Sequence, residues 1–424
     1  MKNTGLPALE GGKPLNTEAF PMWPSFEEST IKAAVEPLRT GRVNYWTGEK
    51  GMEFEKAFAE WCGVKYGIST TNGTSALHTA LAGLKIGPGD EVICPSYSFI
   101  ASSFAILQAG SLPVFADVRR ETHTIDPSDI ELKIRKKTVA ILPVHLYGNI
   151  CDMDAILEIA HRHNLKVIED CAEAHGGEFM GEKVGSIGDA GAFSFCQSKH
   201  FTTGGEGGMV TTSDEETAWL CRSFRDHGYD VKERLKLLEM EAKLPYIHNM
   251  VGYNYMLTEY QSVIGIEELK RIDSWNLKNR RRNGEYLINE LSDIPEILYL
   301  PEHSKKKKNA FWVFPIVVDT DKMKVDIKTL WHSVEAEGIP AGPVLWPQMY
   351  KGRAYTERNG FGRLKYPFND PNARKIDYLR VKCENAAWLE SRTFFIPVHP
   401  VYTLEHMELA VKAVKKVLSY YRLR

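Results

Sequence analysis

The chain has 424 residues, 43% of them hydrophobic and 25% charged, with a formal net charge of −2 at pH 7. That length suits a large core with a second lobe, and the composition is that of an ordinary globular protein. The near-neutral charge argues against a nucleic-acid partner or a membrane surface. No apolar run reaches the length of a bilayer span, and the opening Met-Lys-Asn-Thr-Gly carries no signal-peptide core. Seven dispersed cysteines without a CxxC pair set an expectation of reduced thiols in a cytoplasmic protein. The local basic runs at 305–308 and 280–282 read as a solvated loop and a helix face.

The first forty-odd residues are rich in Gly and Pro and read as a segment wrapping over another part of the molecule. A helix follows over 51–62, then a short strand from Tyr66, a turn, and a helix that runs through Leu84. Apolar strands are expected at 91–94, 113–117, 138–144 and 166–170, separated by helices at 102–109, 127–133 and 153–163. Continuous apolar strands between amphipathic helices predict an α/β domain whose mostly parallel sheet is covered on both faces. The alternation persists to about residue 225 and gives way to a charged helix at 232–243 and a long one at 258–271. Strands at 312–318 and 394–398 with helices at 327–337 and 404–421 then suggest a smaller α+β lobe. The resulting division is an N-terminal segment over 1–50, a large domain over 51–270 and a small C-terminal domain over 271–424.

Chemistry concentrates around Lys199, which lies in Phe193-Ser-Phe-Cys-Gln-Ser-Lys199-His-Phe-Thr-Thr-Gly-Gly-Glu-Gly-Gly208. A lysine before a glycine-rich turn, with Asp170 ending an apolar strand upstream, is the layout expected for a pyridoxal phosphate enzyme. Such a cofactor requires an amine to hold its aldehyde and an acid to keep its ring nitrogen protonated. Asn72-Gly73-Thr74-Ser75-Ala76 opens a helix after a strand and forms either an anion seat or an ordinary N-cap. Ser194 offers a hydroxyl five residues before Lys199, and Phe99 follows a strand where an aromatic ring could stack on a flat ligand or simply fill core. There is no P-loop, and Gly204–Gly208 does not fit GxGxxG. Glu173 and His175 lie close together in sequence, while His161 and His163 point to different faces of a helix. No metal-ligand set emerges.

Taken in order, these motifs resemble those of the DegT/StrS-type sugar aminotransferases, a PLP-dependent family with the aspartate aminotransferase fold (fold type I). The likeness includes Glu10-Gly-Gly-Lys-Pro, Thr47-Gly-Glu-Lys-Gly-Met-Glu-Phe-Glu, Gly87-Pro-Gly-Asp-Glu-Val, Pro143-Val-His-Leu-Tyr-Gly and Ile168-Glu-Asp-Cys-Ala-Glu-Ala-His-Gly. Gly252-Tyr-Asn-Tyr and Ile396-Pro-Val-His-Pro extend it to the end of the chain. The resemblance implies that Lys199 binds pyridoxal 5′-phosphate covalently, Asp170 pairs with its ring nitrogen and Phe99 stacks on the ring. It further implies that Gly73, Thr74, Ser75 and Ser194 hold the phosphate, with Asn254 reaching it from the partner subunit of a homodimer. The resemblance also places Glu173 among the cofactor-binding residues, near the 3′-oxygen, and two positions depart from the family pattern: Glu173 stands where Gln or His is common, and Met256 where Arg is common. The implied reaction is transamination of a keto sugar or keto cyclitol, with Glu or Gln as amino donor. Two alternatives share the motifs. One is a PLP-dependent sugar dehydratase, with histidine in the lysine position; counting from Ser194-Phe195 puts Lys199 there and His200 one residue beyond. The other is a non-catalytic PLP-binding regulatory protein.

Overall fold

The alternating segments assemble, in the computed structural model, into a seven-stranded sheet; the structure describes residues 5–239, 247–344 and 346–423. The strands β1 (Tyr66–Thr70), β2 (Glu91–Pro95), β3 (Leu112–Ala116), β4 (Thr138–Ile141) and β5 (Lys166–Asp170) come first. A short hairpin of β6 (Glu178–Phe179) and β7 (Glu182–Lys183) precedes β8 (Ala190–Ser194) and β9 (Gly208–Thr212). The spatial order is β1-β9-β8-β5-β4-β2-β3. Strand β9 runs antiparallel to both neighbours, and every other ladder of this sheet is parallel.

Strand periodicity explains the core. On β2, Val92 and Cys94 enter one hydrophobic cluster and Ile93 the opposite one; on β4, Ala140 and Ile141 divide likewise. Side chains alternate across a strand, so a sheet buried on both faces must be apolar at every position. The same logic hides β8 and β9 from a sequence reading. In β8, Ala190 and Ala192 are small where the helix Gly73–Gly83 lies directly against the strand, Phe193 faces the other cluster, and a Cβ on Gly191 would fall 2.5 Å from the Gly185 backbone.

A second, four-stranded antiparallel sheet follows. Here β10 (Ile297–Tyr299), β12 (Val313–Val318), β13 (Gly342–Pro343) and β14 (Thr393–Pro397) run in the order β10-β12-β14-β13, while β11 (Lys307–Lys308) pairs with β6. Helices Lys278–Leu291, Ile327–Ala336 and Leu404–Tyr421 bury their apolar stripes on it through Leu287, Leu330, Val334, Val411 and Val414, against Phe314 and Ile316. Between β13 and β14 the chain makes a long excursion back to the large sheet. Met349, Tyr350, Tyr355, Phe368, Tyr378 and Leu389 join the cluster that contains Val92 and Cys94. Polar clips hold this excursion: the Met349 amide donates to Ser96 O at 2.8 Å, Arg374 grips Glu91 with two nitrogens, and Tyr378 Oη donates to Pro113 O.

The N-terminal segment includes a regular helix, Glu28–Thr40, which lies along the helix Glu259–Lys270. Two expectations need correction. Arg280 is not on a solvated helix face: it is fully buried and donates to Asn276 Oδ1, Phe311 O and Trp312 O. Lys307, expected in a solvated loop, is buried in β11. The helix expected at 232–243 begins as Val231–Glu239, and residues 240–243 lie outside the described residues. Among the described residues no helix is long and apolar enough to cross a membrane.

Candidate active site

A cavity of about 500 Å³ opens at the carboxyl ends of β5 and β8, where open α/β sheets place their ligands. Gly73, Thr74, Ser75, Phe99, Asp170, Glu173, Ser194 and Lys199 all line it. Asn254 does not; it is exposed, although its neighbour Tyr255 reaches the wall.

One end is built by the start of the helix Gly73–Gly83. Asn72 Oδ1 accepts the Ser75 amide at 2.8 Å, and the Asn72 amide donates to Ser75 Oγ at 3.1 Å, a complete capping box. Both polar groups of Ser75 are therefore spent on the turn, so Ser75 shapes the seat while the Gly73 and Thr74 amides, which have no intrahelical acceptor, point to an anion. Ser194 closes the seat from β8, with its Oγ accepting the Cys196 amide at 3.3 Å and its own proton left to donate. A Cβ on Gly73 would lie 2.6 Å from Ser194 Cβ, so only glycine lets strand and helix approach this closely.

Asp170, the last residue of β5, is 4% exposed. Ser102 Oγ donates to its Oδ2 at 2.7 Å and the Ala172 amide to its Oδ1 at 3.1 Å. Burial pushes its carboxyl above the ordinary value, while these donors and Lys199 pull the other way. A cationic ring nitrogen is the partner such a carboxylate lacks.

Lys199 sits on the opposite wall. Its Nζ lies 3.3 Å from Glu173 Oε1 and 4.0 Å from the Trp312 ring centroid. Its turn is clamped by donors from three distant segments: Trp312 Nε1 on Ser198 O at 2.6 Å, Trp23 Nε1 on Lys199 O at 3.0 Å, and Asn276 Nδ2 on His200 O. His200 is buried, its Nε2 facing Ala310 O at 3.0 Å, and it is not part of the cavity wall. Phe99 is 47% exposed on the wall, its ring 4.8 Å from that of Trp346.

Sequence reading missed Ser102, Trp312 and Trp346. Ser102 carries a signal only in hindsight, as a serine in the first turn of a helix (Ala101–Gln108) that follows a strand. Trp346 carries none, because the excursion after β13 delivers it from more than 140 positions downstream of Asp170. His175, weighed as a ligand beside Glu173, is enclosed by Phe193, Phe195, Phe201 and His200, and burial lowers its pKa to about 3. The cluster His145, Glu169 and Cys171 is compact. Its polar atoms are engaged internally: His145 Nε2 meets Glu169 Oε2, and the Ile187 and Gly188 amides take Oε1.

An anion seat at a helix start, a buried carboxylate at a strand end and a lysine line one cavity, and together they suit the charges of a phosphorylated pyridine aldehyde. A fold type I sheet with that seat defines a PLP-dependent enzyme. The chain belongs to the DegT/DnrJ/EryC1/StrS aminotransferase family, which it matches over residues 24–415. It is 41% identical over 296 residues to the GDP-perosamine synthase of Caulobacter vibrioides, covering 70% of this chain and 76% of the relative. It is 32% identical to an L-glutamine:2-deoxy-scyllo-inosose aminotransferase of Streptoalloteichus tenebrarius, with 88% of each chain covered. Among solved structures, the aminotransferase from Psychrobacter cryohalolentis superposes with a TM-score of 0.85 at 34% identity, covering 95% of this chain and 99% of that one. The protein is thus an aminotransferase, and its cofactor is pyridoxal phosphate.

Proposed function

We propose that this aminotransferase moves an amino group from Glu or Gln to a keto sugar or keto cyclitol, with Lys199 as the residue that binds the cofactor and carries the proton. The observation that carries the reading is the convergence of Lys199, Asp170 and the Gly73 helix start on one cavity. When bound there, pyridoxal phosphate supplies an electron-withdrawing ring that makes the proton on the carbon bearing the amino group acidic. The chain supplies the rest. The Gly73 and Thr74 amides and the Ser194 hydroxyl anchor the phosphate. Asp170 would hold the ring nitrogen protonated by charge, and Phe99 would stack on the ring. Lys199 Nζ would hold the cofactor's aldehyde and, as a free amine, would carry the proton between substrate and cofactor carbons.

The substrate class rests on the relatives, one named for the synthesis of GDP-perosamine and another for the amination of 2-deoxy-scyllo-inosose. Incubating the yellow enzyme with Glu or Gln should convert its spectrum to that of the pyridoxamine form, and a keto sugar or inosose should restore it. Failure of both donors, with the cofactor shown to be bound, counts against the assignment. A place in aminoglycoside-like biosynthesis follows from the same likeness, and the seven free cysteines suit a reducing cytoplasm.

The proposal includes a homodimer with shared sites. Asn254 is exposed and sits between the exposed Tyr253 and the wall residue Tyr255, so a second subunit could present it to the first one's phosphate seat. Inactive Lys199→Ala and Asn254→Ala proteins, dissociated and reassociated together, should regain activity, since a hybrid holds one site free of both changes. Hybrids that form yet stay inactive argue for self-contained sites.

A further inference from the structure

Glu173 lines the cavity and faces the lysine as well as the space for a cofactor. It lies three residues beyond Asp170, and its side chain is 4% exposed. One oxygen, Oε1, is 3.3 Å from Lys199 Nζ and accepts the Trp346 indole N–H at 3.1 Å; the other, Oε2, accepts the Tyr147 amide at 2.9 Å. Each of the three partners is a donor, an arrangement that suits a carboxylate and not a carboxylic acid. Burial pushes the carboxyl upward, and Lys199 and the Tyr147 amide oppose it.

The surroundings single out this charge. Among the described residues Glu173 is the one carboxylate within ion-pair distance of Lys199 Nζ. Asp170 is turned to Ser102 and the Ala172 amide. Behind the lysine, His175 and His200 are held neutral by burial. The buried Arg280 is directed at the carbonyls of Phe311 and Trp312, and burial lowers its pKa to about 9. Trp312 offers a ring face and no charge. The Tyr147 amide and Trp346, itself carried in by the excursion clipped to Ser96, fix the carboxylate where it is.

We propose that Glu173 is the standing counter-ion of the Lys199 nitrogen, pairing with it as a free ammonium and keeping it protonated once it is joined to pyridoxal phosphate. This rests on the reading of Lys199 as the residue that binds the cofactor. An opposite charge within about 4–6 Å shifts an ionisation by about one to three pH units toward the charged form. Glu173 is anchored to the protein rather than to the lysine, so its charge stays when the nitrogen moves. A neutral side chain at this position would leave the linked nitrogen to lose its proton at lower pH. The departure at 173 thus tunes the working pH of the cofactor linkage.

The test is the absorbance of the reconstituted holoenzyme as a function of pH. In Glu173→Gln the midpoint at which the yellow, protonated form disappears should fall by about one pH unit or more relative to the unaltered protein. Glu173→Ala, which removes the charge without placing an amide opposite the Trp346 N–H, should shift it in the same direction. Circular dichroism identifies which variants fold. A midpoint within about 0.3 pH unit of the unaltered protein, in whichever variant folds, overturns the proposal. Were the unaltered protein to bind cofactor without any lysine-linked band, the reading of Lys199 would fall, and this proposal with it; the two failures are told apart by that one spectrum.

Discussion

Lys199→Ala is expected to lose turnover by at least about 10²–10⁴-fold, the contribution of a positioned acid–base, because the same change also removes the cofactor's covalent tether. The loss should be chemical and not structural. The turn at 198–200 is held through its carbonyls by Trp312, Trp23 and Asn276, none of which touches the lysine side chain's amine through those bonds. Glu173 would keep two of its three donors. The variant should therefore fold, and the phosphate seat at Gly73, Thr74 and Ser194 should still retain pyridoxal phosphate without the covalent bond. Equilibrium dialysis and steady-state rates check the two halves. Turnover within about tenfold of the unaltered enzyme would contradict an acid–base role for Lys199.

Asp170→Asn should separate chemistry from stability in the other direction. An asparagine oxygen can accept the Ala172 amide while its NH2 donates to Ser102 Oγ, whose own proton turns to Ser98 Oγ 3.2 Å away, but an amide cannot hold a ring proton by charge. A kcat fall of about 10²–10³-fold is expected, the scale of removing one electrostatic stabiliser. Stability follows the opposite sign. Burial raises the Asp170 carboxyl in the folded protein. Its contribution is therefore fully present below the unfolded carboxylate pKa and lost as pH rises through the folded value. At neutral pH the ionised, cofactor-free site carries that cost, and asparagine removes it. The cofactor-free variant should melt no lower than the cofactor-free parent at pH 7, and the difference should shrink on acidification. A clear drop in melting temperature would make Asp170 a structural residue first.

Where the fold was legible, apolar period and caps agreed. The helices Pro127–Lys133, Met153–His163 and Leu404–Tyr421 and the strand Lys166–Asp170 lie where their patterns put them. Asp126, with Pro at the next position, caps the first of these through the Ser128 amide. Where small residues replace bulk, the pattern fails: β8 and β9 are strands because the sheet and the helix Gly73–Gly83 close on them, not because their own side chains alternate. Arg280 illustrates the converse. An arginine in a run of three suggests solvent, yet the carbonyls of Phe311 and Trp312, just before β12 and more than thirty residues away, accept its protons. In the candidate site, Asp170, Ser194 and the Asn72–Ser75 turn were visible because each sits at an end of a local element, and Lys199 because it stands in the turn that follows β8. Trp346, Trp312 and Trp23 were not, since their contacts with the lysine turn and Glu173 span more than a hundred positions and leave no local trace.

The most direct measurement of the central assignment is borohydride reduction of the yellow holoenzyme followed by peptide mapping. The account predicts that the pyridoxyl group becomes fixed to the peptide containing Lys199, whose amine faces the cavity between Glu173 and Trp312. It also predicts that Lys199→Ala yields no labelled peptide from the same site. Stable attachment to a different lysine in the unaltered protein would contradict it.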